Sequence, residues 1–116
     1  MSTILELLGP SHPVIVEPEY PPKGASIDER FEVFHKANPH VYAELARLAR
    51  RLTKKGHKRL GIGMLWEVLR YSAMATQDPT GNFKLNNDYR SRYARMIMDR
   101  ESDLADVFEV RKLQSA

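Results

Sequence analysis

Apolar residues recur at the three-and-four spacing of one helical face through Ile62, Leu65, Trp66, Leu69 and Ala73. Met64, Val68 and Tyr71 widen that face, which predicts a core helix buried over most of its circumference. Glu67 and Arg70 are the main charges inside it. Gln77-Asp78-Pro79-Thr80-Gly81 ends the pattern with turn chemistry. Phe83-Lys84-Leu85 then alternates as a very short strand does. Asn86 or Asn87 can accept a hydrogen bond from the first unpaired N–H groups of a following helix, expected over residues 88–100. That helix puts Tyr89, Tyr93, Met96 and Ile97 on one side and distributes Arg90, Arg92 and Arg95 around the rest.

Upstream, Ser26-Ile27-Asp28-Glu29 has the form of a capping box and opens a helix through Ala37, with Ile27, Phe31 and Phe34 on one face. Asn38-Pro39 stops it and starts the next, Asn38 as N-cap and Pro39 at the first helical position. The second helix is expected to run to about Lys55, with Val41, Leu45, Leu48 and Leu52 as its buried stripe and Gly56 as its C-terminal cap. Near the end, Ser102 can cap a short helix with Leu104 turned inward, and Phe108-Glu109-Val110-Arg111 alternates as a strand, with residues 83–85 as a possible partner. Residues 1–25 differ in kind. Pro10, Pro13, Pro18, Pro21 and Pro22 exclude a helix interior, while Ile4, Leu5, Leu7, Leu8, Val14, Ile15 and Val16 are apolar. Two readings stand: a flexible arm, or an extended arm packed on the domain or on a second subunit, which invites a homodimer. The expected fold is mainly α, with four to five helices, at most a small two-stranded β element and an extended Pro-rich arm. Residues 1–25 would be the arm and residues 26–116 a single helical domain.

Composition adds charge. The chain has 116 residues, 18 basic against 15 acidic, and a formal net charge of +3. The excess is concentrated. Arg47, Arg50, Arg51, Lys54 and Lys55 fall on the polar side of the second helix, Lys58 and Arg59 follow in the turn, and no acidic residue interrupts them. Such a run is either a solvated helix face or a grip for phosphate or another acidic partner.

Several function classes drop out. With no cysteine there is no disulfide framework, thiolate zinc site or thiol nucleophile. No apolar run reaches the roughly 18–20 residues of a membrane span, and the N-terminus lacks a signal-peptide pattern. A soluble, cytoplasmic protein is expected. His12, His35, His40 and His57 lie in different elements, so no metal or cofactor is expected. Asp99, Glu101, Asp103 and Asp106 cluster, but as caps and solvated positions. Gly61-Ile62-Gly63 lacks the rest of a phosphate loop, and no catalytic set is legible, so the chain does not read as an enzyme.

Two DNA-binding layouts fit the pattern. In one, residues 52–65 form a helix-turn-helix with Gly56 in the turn. Ile62-Gly63-Met64-Leu65-Trp66 offers almost no side chains for base edges, however, and an ordinary helical hairpin fits better. In the other, winged-helix-like layout, the helix at 88–100 reads bases through Asn87, Arg90 and Arg92, aided by Asn86 and Tyr89, while Arg47 to Arg59 grip phosphate. The alternative there is a turn, a cap and a solvated arginine face.

Three stretches resemble small proteins encoded by tailed bacteriophages and prophages: Phe34-His35-Lys36-Ala37-Asn38-Pro39-His40-Val41-Tyr42, Phe83-Lys84-Leu85-Asn86-Asn87-Asp88-Tyr89-Arg90-Ser91-Arg92-Tyr93-Ala94-Arg95, and Phe108-Glu109-Val110-Arg111. The resemblance implies a phage-derived, intracellular protein and brings no residue roles with it. The leading expectation is duplex DNA binding, as a phage transcriptional regulator. The runner-up is a protein-interaction module, such as an inhibitor of a host or defence protein, using the basic surface on an acidic protein partner.

Overall fold

The computed structural model describes residues 15–21, 24–76 and 85–109. Among these lie four α-helices: α1 (Ile27–Ala37), α2 (Pro39–Lys54), α3 (Ile62–Thr76) and α4 (Arg90–Arg100). The capping box at Ser26 forms as expected: Ser26 Oγ accepts from the Glu29 N–H at 3.1 Å, and the Glu29 carboxylate accepts from the Ser26 N–H at 2.9 Å. Pro39 opens α2. Gly56 follows that helix at φ +108°, a left-handed conformation that suits a residue without Cβ. α4 starts later than the sequence pattern suggests. A 3₁₀ turn at Asn87–Tyr89 precedes it, capped by Asn86 Oδ1, which accepts from the Asp88 N–H at 2.8 Å.

The helix α2 packs against α1, α3 and α4, and α3 packs against α4. Phe31, Phe34, Trp66, Tyr89 and Tyr93 are buried at the centre. The Phe31 and Tyr93 rings meet edge-on with centroids 4.8 Å apart, and Trp66 lies 5.9 Å from Tyr93. Such tilted contacts match the ring quadrupoles. These rings join α1, α4 and α3 into one core.

Three expectations need correction. First, α3 is not buried on most of its circumference: Ile62, Leu65, Trp66, Leu69 and Ala73 are buried, but Met64, Tyr71 and Met74 are exposed. Its neighbours α2 and α4 cover two flanks, and nothing among the described residues covers the third. Second, Phe108 pairs with Leu60 in an isolated parallel bridge. Leu60 N–H donates to the Val107 carbonyl at 2.8 Å, and Glu109 N–H donates to the Leu60 carbonyl at 3.3 Å. No strand forms among the described residues. The strand proposed at 83–85 lies outside them except for Leu85, which is buried, and Val110 and Arg111 also lie outside. Third, Asn38 does not cap α2 with its side chain. It turns back instead. Its Oδ1 accepts from the Val16 N–H at 2.6 Å, and its Nδ2 donates to the carbonyls of Val16 at 2.7 Å and Phe34 at 3.1 Å.

Ile15 is buried beside that latch. Tyr20 also packs against the core, whereas Val16, Glu17 and Glu19 are exposed. The remainder of the arm lies outside the described residues.

Candidate nucleic-acid interface

The polar side of α2 begins with arginines already engaged by carboxylates. Arg47 pairs with Glu44 at 3.1 Å, one turn back on the same helix. Arg50 reaches across to the turn after α4, donating to Asp103 at 2.8 and 3.1 Å and to Glu101. Tyr42 Oη donates to the same Glu101 carboxylate at 2.8 Å. The Tyr42 hydroxyl and then Arg50 hold the Glu101 carboxyl below its ordinary value. Arg50 does the same for Asp103. Burial, with Glu101 beside it, pushes the Tyr42 hydroxyl up to about 12. This network ties α2 to the chain after α4. Sequence reading gave Glu101 and Asp103 to solvent. Their partners lie about fifty positions away, at separations of 51 and 53 residues, and no local pattern points to them.

Beyond Arg50 the picture changes. Arg51, Lys54, Lys55 and Lys58 are all exposed, and none makes a hydrogen bond or ion pair among the described residues. Arg59 lies 3.6 Å from Glu109, with both side chains largely in water, so the contact is weak. Lys54 acts on Asp103 through space, but the last turn of α2 and the turn after it still present Arg51, Lys54, Lys55 and Lys58 as a cluster of cations without direct ion pairs among the described residues. Part of this is ordinary helix chemistry, since cations stabilise the negative end of the helix dipole. Four of them within eight residues still repel one another.

The three residues assigned to base reading do not converge. Arg70 on α3 donates to the Asn87 side-chain oxygen, to the Leu85 carbonyl at 3.1 Å and to Glu67. Arg92 faces the other way: it donates to Asp28 of α1 at 2.5 Å and to the Asp88 carbonyl at 3.1 Å. Arg90 lies against the first turn of α3, its Nη1 3.6 Å from the position a Cβ on Gly63 would take. Residues two apart on a helix point about 200° apart, so Arg90 and Arg92 face different neighbours.

A groove of about 860 Å³ runs between α1 and α4, lined by Asp28, Glu29 and Glu32 on one side and Arg92, Arg95 and Arg100 on the other. Opposite charges face each other across it, which suits neither a polyanion nor a polycation. His35 also lines it, with Nδ1 3.2 Å from Tyr93 Oη. Burial, and then Arg100, lower the His35 pKa, which keeps the ring neutral at pH 7. Among the described residues no group of three or more His, Asp or Glu side chains could hold a metal ion, and no helix is long and apolar enough to cross a membrane.

Compared with protein families, curated proteins and solved structures, the chain matches none.

Proposed function

We propose that this protein binds duplex DNA, gripping phosphate through Arg51, Lys54, Lys55 and Lys58 at the C-terminal end of α2 and in the turn after it. One observation carries the reading: these cations are exposed and lack ion-pair partners among the described residues, while Arg47, Arg50 and Arg92 are paired with carboxylates. A polyanion would relieve the mutual repulsion of the cluster and release its own condensed counterions on contact. Arg59 joins the grip if its long contact to Glu109 gives way, and Arg47 does so if it leaves Glu44. The Arg59 pair is solvent-exposed and weak, whereas Arg47 holds a largely buried Glu44 through two nitrogens and is the harder to release.

The finer reading places α4 in a winged-helix-like arrangement as the base reader. Arg90 could approach DNA without breaking an ion pair. Asn87 and Arg92 would have to exchange Arg70 and Asp28 for base edges. Phosphate contacts carry no sequence information, so the affinity should be largely independent of sequence. The resemblance to phage-encoded proteins adds the proposal of a regulatory role on phage DNA.

The test is an anisotropy titration of mixed-sequence duplex at several salt concentrations, starting near 50 mM. Each phosphate contact contributes about 0.9 to the slope of log affinity against log salt. Replacing Arg51, Lys54 and Lys55 together by Ala should lower that slope by up to about 2.7 and leave the unfolding midpoint nearly unchanged. No binding by the native chain at micromolar protein refutes DNA binding and leaves the cluster to an acidic protein partner.

A further inference from the structure

The helix α3 shows water a face that its sequence pattern assigns to the core. Met64 is 51 % exposed, Tyr71 58 % and Met74 74 %, and these are three of the four large hydrophobic side chains exposed among the described residues. Glu67 is also exposed and completes the row. The four positions follow one another at spacings of three, four and three. That spacing is the seam of a two-helix coiled coil, alternating between its two inward-facing positions. It keeps all four side chains within a narrow arc of the helix.

The spacing also reads the same in both directions. Its midpoint is residue 69, so reversing the helix about that point carries Met64 onto Met74 and Glu67 onto Tyr71. At the margins it carries Gly63 onto Ala75 and Val68 onto Arg70. A surface that maps onto itself under a two-fold rotation is what an isologous contact requires.

We propose that a second copy of this chain covers the exposed face of α3, antiparallel about a two-fold axis at residue 69. Met64 then packs on Met74 of the second copy, and Glu67 faces its Tyr71. Charge selects the direction. In a parallel pair, Glu67 would meet Glu67 of the other copy in one layer of the seam. In the antiparallel pair each carboxylate meets a phenol, which can donate a hydrogen bond to it. Arg70, bonded to Glu67 within its own chain, orients the carboxylate. A single polar position inside an apolar seam is a known means of setting register and orientation.

The size of the row sets the strength. Three large side chains per copy fall short of the roughly 800 Å² per partner of a standard interface. The dimer should be weak and concentration-dependent, with a dissociation constant in the range of about 10 μM to 1 mM. It uses none of the cations proposed to grip DNA, so either proposal can fail without the other. It also differs from a dimer held by the N-terminal arm.

Two measurements on the full chain test it. Sedimentation equilibrium from about 10 μM to 1 mM should show a monomer–dimer equilibrium in the native protein. Met74→Glu should remove it while leaving thermal unfolding at low concentration unchanged, because Met74 makes little contact within its own chain. The chain has no cysteine, so introduced thiols report without interference. Met64→Cys and Met74→Cys chains mixed under mild oxidation should form a disulfide between the two kinds of chain. Neither chain alone should do so, since like positions are ten residues apart along the pair, about 15 Å, beyond disulfide reach. A monomer at every concentration, a dimer that survives Met74→Glu, or efficient cross-linking of Met64→Cys chains on their own overturns the proposal.

Discussion

Asn38 gives the sharpest test of how the chain before α1 is held. Among the described residues it is the one fully buried polar residue, with no exposed surface. Its side chain pairs with the N–H and the carbonyl of Val16, much as a neighbouring strand would, and donates to the Phe34 carbonyl. In Asn38→Ala all three bonds go. At about 1 kcal/mol net for each, the loss is at most about 3 kcal/mol. It should be nearer 2 kcal/mol, because the Phe34 carbonyl keeps the Asn38 backbone N–H at 2.9 Å and the Val16 groups can take up water. Asn38→Asp is more diagnostic because its shape is the same. The acceptor facing the Val16 N–H survives, but an oxygen now faces the two carbonyls where Nδ2 stood. The carboxyl must hold a proton to bond there, so its pKa in the folded state rises above the ordinary value of about 3.9. The unfolded chain is ionised at neutral pH, and folding must then take up a proton. The variant's deficit should be small near pH 4 and grow by about 1.4 kcal/mol per pH unit until the folded pKa is reached. Urea unfolding of native, Asn38→Ala and Asn38→Asp proteins at pH 4, 5, 6 and 7 measures this. An Asp variant within about 1 kcal/mol of native at pH 7, or a deficit that ignores pH, would refute the latch.

Two further outcomes follow from the core and from the α2 network. Trp66 has no exposed surface, and its indole N–H has no partner among the described residues. Trp66→Ala should cost about 3–5 kcal/mol by urea unfolding, whereas Trp66→Phe, which leaves no bonding partner behind, should cost clearly less. Emission typical of water-exposed indole in the folded protein would contradict this placement. Glu101 and Asp103 both titrate below their ordinary values beside Tyr42 and Arg50. Their contribution to stability is therefore present above the unfolded carboxylate range and is lost as pH falls through the lowered folded values. Arg50→Gln should flatten the acid side of the stability–pH profile, with the gap to native closing toward pH 3. An unchanged profile would show that Arg50 does not hold these carboxylates.

Local pattern was enough wherever the deciding interaction is local. The capping box at Ser26, the Asn38-Pro39 break, Gly56 after α2 and the inward stripe of each helix depend on neighbours within about one turn, and each is present in the structure. The run of cations is likewise a property of the sequence. Whether a given cation is available was decided by tertiary contacts. Arg50 and Arg51 are adjacent and chemically alike, yet one meets Glu101 and Asp103 while the other meets water. That difference depends on where the chain after α4 passes, which periodicity on α2 does not encode. The same holds for Asn38, whose residue type suits an N-cap until an extended segment 22 positions upstream supplies better partners. It holds also for α3, where hydrophobicity sets which residues favour burial, but the number and placement of neighbouring helices decide how much of the circumference is covered. Met64, Tyr71 and Met74 are apolar by sequence and exposed by topology, because two packed neighbours cover two flanks of a helix and leave a third.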